Sequence, residues 1–162
     1  MKEERAHGAV RDELVRLLQL YATETGRLSQ VFADRHDMHP TDLNALLAVM
    51  QADRSGTPLT PGRLGEHLGL SSGATTAVID RLERVGHVQR SRDERDRRRV
   101  TLHYGSTAAA VGMEFFGPLG ARMDAVLQGY APAELDAVRR FLADMVAMVA
   151  EHRRMVTRTD QS

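Results

Sequence analysis

A mainly α-helical chain with one small β-hairpin is the fold class this sequence predicts, and three observations carry it. Apolar residues recur every three or four positions over most of the 162 residues, the spacing of helices that bury one stripe. Two short stretches of strand-like composition, residues 87–90 and 99–103, enclose a run of charge. Helix punctuation is plain: Thr60-Pro61, Ser71 and Ala131-Pro132 read as starts, Gly69 and Gly86 as stops.

In chain order, the first helix spans Val10 to about Arg35, with Leu14, Leu17, Leu18, Tyr21, Leu28, Val31 and Phe32 as its stripe. Pro40-Thr41-Asp42 starts a second, with Leu43, Leu46, Leu47 and Met50 apolar, and Ser55-Gly56-Thr57-Pro58 is a loop. Thr60 caps a third, Pro61 takes its first position, where a missing N–H costs nothing, and Leu64 and Leu68 form its buried side. Ser71 caps a fourth, running to about Val85, whose spacing puts Ala74, Val78, Leu82 and Val85 on a shared buried face. The two strands follow. A fifth helix runs from Ser106 or Thr107 to about Gln128, with Gly117-Pro118 expected to kink it. The last runs from Ala131-Pro132 through about Met155, with Leu135, Val138, Phe141, Leu142, Met145, Val149 and His152 on one side. A tight pair of helices followed at once by a charged hairpin is the organisation of a winged helix-turn-helix lobe. It divides the chain into an N-terminal helix at 1–36, a lobe at 37–104, C-terminal helices at 105–156 and a frayed tail at 157–162.

Composition narrows the function. The 22 basic residues balance the 22 acidic ones, so no global field draws the protein to nucleic acid or membrane. The balance is local: residues 60–100 hold 9 basic against 6 acidic side chains, net +3, between flanks of net −2 and −1. The absence of cysteine removes disulfides, thiol redox sensing and thiolate metal ligands. The first ten residues have no apolar core of a signal peptide, and no apolar run approaches a membrane span; the expectation is a cytoplasmic protein with no membrane partner. No phosphate loop, nucleophile elbow or metalloprotease pair occurs, and the seven histidines show no catalytic spacing with carboxylates. The expectation is a protein that is not an enzyme and carries no cofactor and no metal.

Two motifs carry chemistry. The fourth helix, SSGATTAVIDRLERVG, opens with Ser71, Ser72, Gly73, Thr75 and Thr76, small residues that let a helix backbone approach a groove floor. Their hydroxyls can bond phosphate or base edges, and the helix N-terminus itself favours a phosphate. The second motif is the hairpin. Residues 90–99 hold six arginines, three carboxylates and one serine. Exposed ion pairs add only about 0–1 kcal/mol each, so stability gives weak reason for this density. Orientation gives a better one. Asp96 can steer a neighbouring guanidinium, leaving Arg98 aimed outward; Arg92, Arg95, Arg97 and Arg99 surround it. Arginine suits phosphate by its bidentate fork and suits a narrow minor groove by its weak hydration. Helix and wing together point to double-stranded DNA.

From Leu59 to Leu102 the chain reads LTPGRLGEHLGLSSGATTAVIDRLERVGHVQRSRDERDRRRVTL and resembles the MarR family of bacterial transcription regulators. The matching features are Leu82-Glu83, Gly86, Val88, Arg90 and Asp96-Arg97-Arg98 before Val100. The resemblance implies a homodimer joined through the first and last helices, with residues 71–85 as recognition helix in the major groove, Arg98 in the minor groove and Asp96 supporting it. Two-fold symmetry then implies a pseudo-palindromic site with half-sites about 10 bp apart. Repression is the family's default. The sequence departs from the family at Ala77, where many members have a long polar or basic residue, and at Leu102-His103-Tyr104-Gly105, which replaces the usual Leu-Thr. The resemblance also implies a crevice for a small aromatic or lipophilic effector, with Tyr21, His36, Met38 and His39 as candidate neighbours. The alternative is a winged-helix module that binds protein rather than specific DNA; a short or neutral wing and an apolar helix face would mark it.

Overall fold

The computed structural model describes residues 2–92 and 99–159. The described elements are α1 (Lys2–Arg35), α2 (Pro40–Arg54), α3 (Pro61–Leu68), α4 (Ser72–Arg84), β1 (Val88–Arg92), β2 (Val100–Tyr104), α5 (Ser106–Leu127) and α6 (Pro132–Thr159). The chain divides into two compact units, residues 1–115 and 116–162. The element order is the one the sequence predicts. The boundaries differ: α1 starts eight residues earlier, both strands lie one or two residues later, and α6 runs on to Thr159. Pro118 lies inside α5, which is one continuous element.

The caps show why the helices begin where they do. Thr60 accepts a hydrogen bond from the Arg63 N–H at 3.3 Å, and Ser71 one from Ala74 at 3.3 Å. Each satisfies a donor that the first turn leaves without a helical partner, worth about 1 kcal/mol. Pro61 follows its cap at the first helical position, and Gly69 closes α3 at φ +66°, a left-handed conformation that suits glycine. His39 caps α2: its Nδ1 accepts from the Thr41 N–H at 3.3 Å.

One core serves the first unit. Ala45, Leu46, Ala48 and Val49 of α2, Leu64 of α3, Val78, Ile79 and Leu82 of α4, Val88 and Leu102 of the hairpin and Ala108 of α5 form a single buried cluster. Small residues let α2 bury more than the stripe predicted from its leucines: Leu47 and Met50 are only half-buried, while Ala45 and Ala48 are covered. Asp42 is buried at the start of α2 and is held by Arg81 of α4 through two hydrogen bonds, 3.0 and 2.6 Å. That fork pairing satisfies a carboxylate that would be costly to bury alone. α4 crosses α3 closely, because a Cβ on Gly65 would sit 2.7 Å from the Thr75 hydroxyl.

The strands pair antiparallel, with Val88 opposite Tyr104, Arg90 opposite Leu102 and Arg92 opposite Val100. Residues directly opposite share a face, so Val88, Arg90, Leu102 and Tyr104 face the core, and Gln89, Ser91, Thr101 and His103 the other side. Leu59 adds a single bridge on the far edge of β2, where its carbonyl accepts the Leu102 N–H at 2.8 Å.

Candidate nucleic-acid interface

The helix α4 presents its N-terminal turn to solvent. Ser71, Ser72, Gly73, Ala74, Thr76 and Ala77 are all exposed. Thr75 is not: it is 3% exposed, and its hydroxyl donates to the Ser71 carbonyl at 2.9 Å. Its assignment to the open face is therefore wrong. Three residues before Val78, it lies on the same stripe as Val78, Ile79 and Leu82, and it tucks against Gly65. The same stripe corrects the expected buried face, since Ala74 is exposed and Val85 is 53% exposed. Thr76 keeps an open position, with its hydroxyl donating back to Ser72 at 2.9 Å.

Arg90 explains a feature that the sequence shows only as a pattern. Its guanidinium bonds Asp80 at 2.6 Å and also Glu83, while its backbone N–H donates to Glu83 at 3.3 Å. The hydrogen bond to Asp80 contributes most to raising the guanidinium's pKa above its ordinary value. Asp80 and Glu83 lie on the exposed side of α4, where they would repel a phosphate backbone. Arg90 offsets one of their two negative charges and ties the hairpin to the helix. Nothing in the periodicity of α4 or β1 could reveal this contact, which joins residues seven and ten apart across a turn.

Arg92 and Arg99 are exposed at the last described positions of the wing. Arg95, Arg97, Arg98 and the supporting Asp96 lie outside the described residues. Arg63 of α3, which sequence reasoning passed over, is exposed on the same side as Arg92 and Arg99 and lines a hollow with them. Its only sequence signal was a single arginine in a short helix.

The candidate effector residues separate. His36 is half-buried at the end of α1, its ring 4.6 Å from Phe32 and 6.4 Å from Phe115. Met38 packs on the core, and His39 is engaged as the cap of α2. Tyr21 is 63% exposed and lies fifteen residues up the same continuous helix from His36, roughly 22 Å at 1.5 Å per residue. Within one chain it does not join them. His87, not singled out from sequence, is buried beside His36, and its Nδ1 has no hydrogen-bond partner among the described residues. Burial, with a smaller push from His36, holds its pKa below the ordinary imidazole value. Among the described residues no group of three or more histidines and carboxylates could hold a metal ion, and no helix is long and apolar enough to cross a membrane.

Known proteins share this arrangement. A MarR family profile matches residues 36–99. An uncharacterized HTH-type transcriptional regulator of Bacillus subtilis (strain 168), YcgE, is 31% identical over 137 residues, 85% of this chain and 86% of that protein. Among solved structures, a point mutant of MepR from a multidrug-resistant S. aureus clinical isolate superposes with a TM-score of 0.64 at 14% identity, covering 82% of this chain and 94% of that one. A second S. aureus MepR mutant, bound to an oligodeoxyribonucleotide, gives 0.51 at 14% identity, covering 82% and 95%. At these identities the structures establish the winged-helix fold, and the sequence matches establish the kinship. The chain belongs to the MarR family of winged helix-turn-helix DNA-binding transcriptional regulators.

Proposed function

We propose that this regulator binds a pseudo-palindromic operator as a homodimer and represses the gene behind it. One observation carries the reading: the exposed, capped N-terminal turn of α4, fixed by Arg90 to a hairpin whose flanks end in the exposed arginines Arg92 and Arg99. Ser71, Ser72, Gly73 and Thr76 would meet the major groove. The wing arginines Arg92, Arg95, Arg97, Arg98 and Arg99, supported by Asp96, would grip the backbone and minor groove. The MepR mutant solved on an oligodeoxyribonucleotide supports the same use of the fold here. Exposed apolar residues on α1, α5 and α6, such as Leu14, Val126 and Val149, support a second copy as partner, because large apolar patches on isolated chains mark association surfaces. A domain plan follows, with dimerisation through 1–36 and 105–156, DNA binding through 37–104, and 157–162 as a frayed tail. A small aromatic or lipophilic effector that releases the DNA belongs to the same reading; His36, with its aromatic neighbours Phe32 and Phe115, is the supporting feature.

The test is fluorescence anisotropy with the duplex upstream of the protein's own gene, beside a scrambled duplex, across a salt series. Tight binding to the upstream duplex alone is expected, with affinity falling with log salt by a slope of about 0.9 per phosphate contact. Arg98→Ala should weaken binding to all duplexes and reduce that slope by about 1, leaving the helical circular dichroism unchanged. Equal weak binding to both duplexes would remove sequence specificity from the proposal.

A further inference from the structure

On the side of the hairpin opposite α4, the 56–59 loop, α3 and the two strands border an open hollow of about 830 Å³. The register separates the floor from α4: Arg90, bonded to Asp80 and Glu83 of α4, lies on one face of the hairpin, and Ser91, Thr101 and His103 on the other, while Arg92, on the Arg90 face at the end of β1, reaches the hollow only at its rim. The polar floor is already satisfied. His103 Nδ1 is 2.9 Å from Asp53, its Nε2 is 3.0 Å from the Thr101 hydroxyl, and that hydroxyl is 3.3 Å from Ser91. The rim differs. Among the described residues, Arg63, Arg92 and Arg99 all line the hollow and no carboxylate does. Among the same residues, Arg92 and Arg99 have no acidic partner. Arg63 meets only Glu66, at 3.1 Å, and both side chains are about two-thirds exposed or more, at 70% and 68%, so the pair is weak and readily exchanged. Asp53 is engaged behind His103 and also accepts the Tyr104 N–H at 3.0 Å.

We propose that this hollow binds a free phosphate-bearing small molecule through Arg63, Arg92 and Arg99, and that its occupancy opposes DNA binding. Three guanidiniums around a hollow with a satisfied floor offer donors and positive charge that the described residues leave largely unanswered. Phosphate groups are matched to that geometry, each taking a two-pronged contact from a guanidinium fork. The volume falls within the range of small-molecule sites, which leaves room for more than one phosphate group. Two of the three arginines flank the wing tip, so an anion that engages them removes charge from the duplex contact. The binding step stands apart from the DNA reading; the antagonism rests on it. A duplex backbone could supply the same phosphate chemistry, and the test separates the two sources.

The probe is inorganic pyrophosphate, titrated calorimetrically into the full-length protein without DNA, against sodium chloride of matched ionic strength. Saturable binding of one pyrophosphate per chain is expected. Arg63→Ala should weaken it about tenfold, the loss of one charge-assisted contact, while Arg84→Ala, on α4 and away from the hollow, leaves it unchanged. In a second arm, pyrophosphate should displace a bound operator duplex beyond the effect of matched salt, and Arg63→Ala should blunt that displacement. Absence of saturable binding, or equal loss in both variants, overturns the proposal. If Arg63→Ala then weakens DNA binding and lowers the salt slope by about 1, the arginines serve the duplex backbone alone. Failure of every duplex to bind, with pyrophosphate binding intact, would sink the operator reading and leave the anion site standing.

Discussion

Thr75 shows how much a single hydroxyl can conceal. A threonine near a helix start reads as exposed, yet this one returns its hydrogen bond to the Ser71 carbonyl and is buried with its hydroxyl oxygen against Gly65. Sequence spacing contained the clue, since Thr75 precedes Val78 by three and Leu82 by seven, but residue polarity outweighed it. Gly65→Ala should destabilise the lobe by up to about 2 kcal/mol, the overpacking cost of about 1–3 kcal/mol less the roughly 1 kcal/mol gained in helix propensity. Urea unfolding should show that the loss shrinks in a Thr75→Ala background, where the clashing oxygen is gone; an additive pair would mean that the two residues do not touch. His87 supplies a second test at this scale. Its folded pKa is depressed, so the unfolded chain takes up the proton more readily. Stability is complete above the ordinary imidazole value of about 6.5 and falls as pH drops below it toward the folded pKa. His87→Leu should flatten the stability profile below the ordinary imidazole value and raise the melting temperature, because it removes a buried nitrogen without a partner among the described residues. An unchanged slope would place the acid sensitivity in other groups.

At the scale of elements, the starts of α3, α4 and α6 were legible because caps and prolines act locally: Thr60, Pro61, Ser71 and Pro132 need no knowledge of the rest of the fold. Strand ends were less legible. Both strands extend into residues such as Ser91, Arg92 and Tyr104, whose pairing partners are set by the register across the hairpin and not by their own propensity. Arg90 was legible as a family feature, while its purpose was not, since the contact to Asp80 and Glu83 exists only after β1 folds back along α4. Arg90→Ala should therefore act as a mechanical change. Global stability should fall by about 1 kcal/mol or less, as expected for a partly exposed pair. DNA affinity should fall more than that, because Asp80 and Glu83 then stand without a cation beside the proposed recognition surface. A double substitution that also replaces Glu83 with Gln should recover part of the affinity in anisotropy titrations. No recovery would assign Arg90 a direct DNA contact.

At the scale of the whole chain, large apolar residues stand exposed. In the second unit, Val126 is 61% exposed, Val146 70% and Val149 58%, although the periodicity of α6 is that of a helix with a buried side. Of the side that the sequence assigns to α6, Val138, Phe141, Leu142 and Val149 are 47%, 36%, 43% and 58% exposed; periodicity could not show that a single chain leaves these residues uncovered. Val149→Asp should convert a dimer to a monomer in light scattering while the circular dichroism of the helices persists. Operator affinity should drop by roughly a hundredfold or more, because the second lobe then binds independently instead of at a high effective concentration. A monomeric elution of the unsubstituted protein would refute the dimer at once.

The lone bridge between Leu59 and Leu102 bears on solubility. β2 has β1 on one side and the Leu59 carbonyl on the other, so its most apolar stretch offers little to a foreign strand. The open edge belongs to β1, which is five residues long and carries Arg90 and Arg92. A short, cationic edge is a poor template for strand addition. By giving the apolar strand the interior place and the charged strand the rim, the hairpin keeps a regulator that must crowd onto DNA from polymerising through its own sheet.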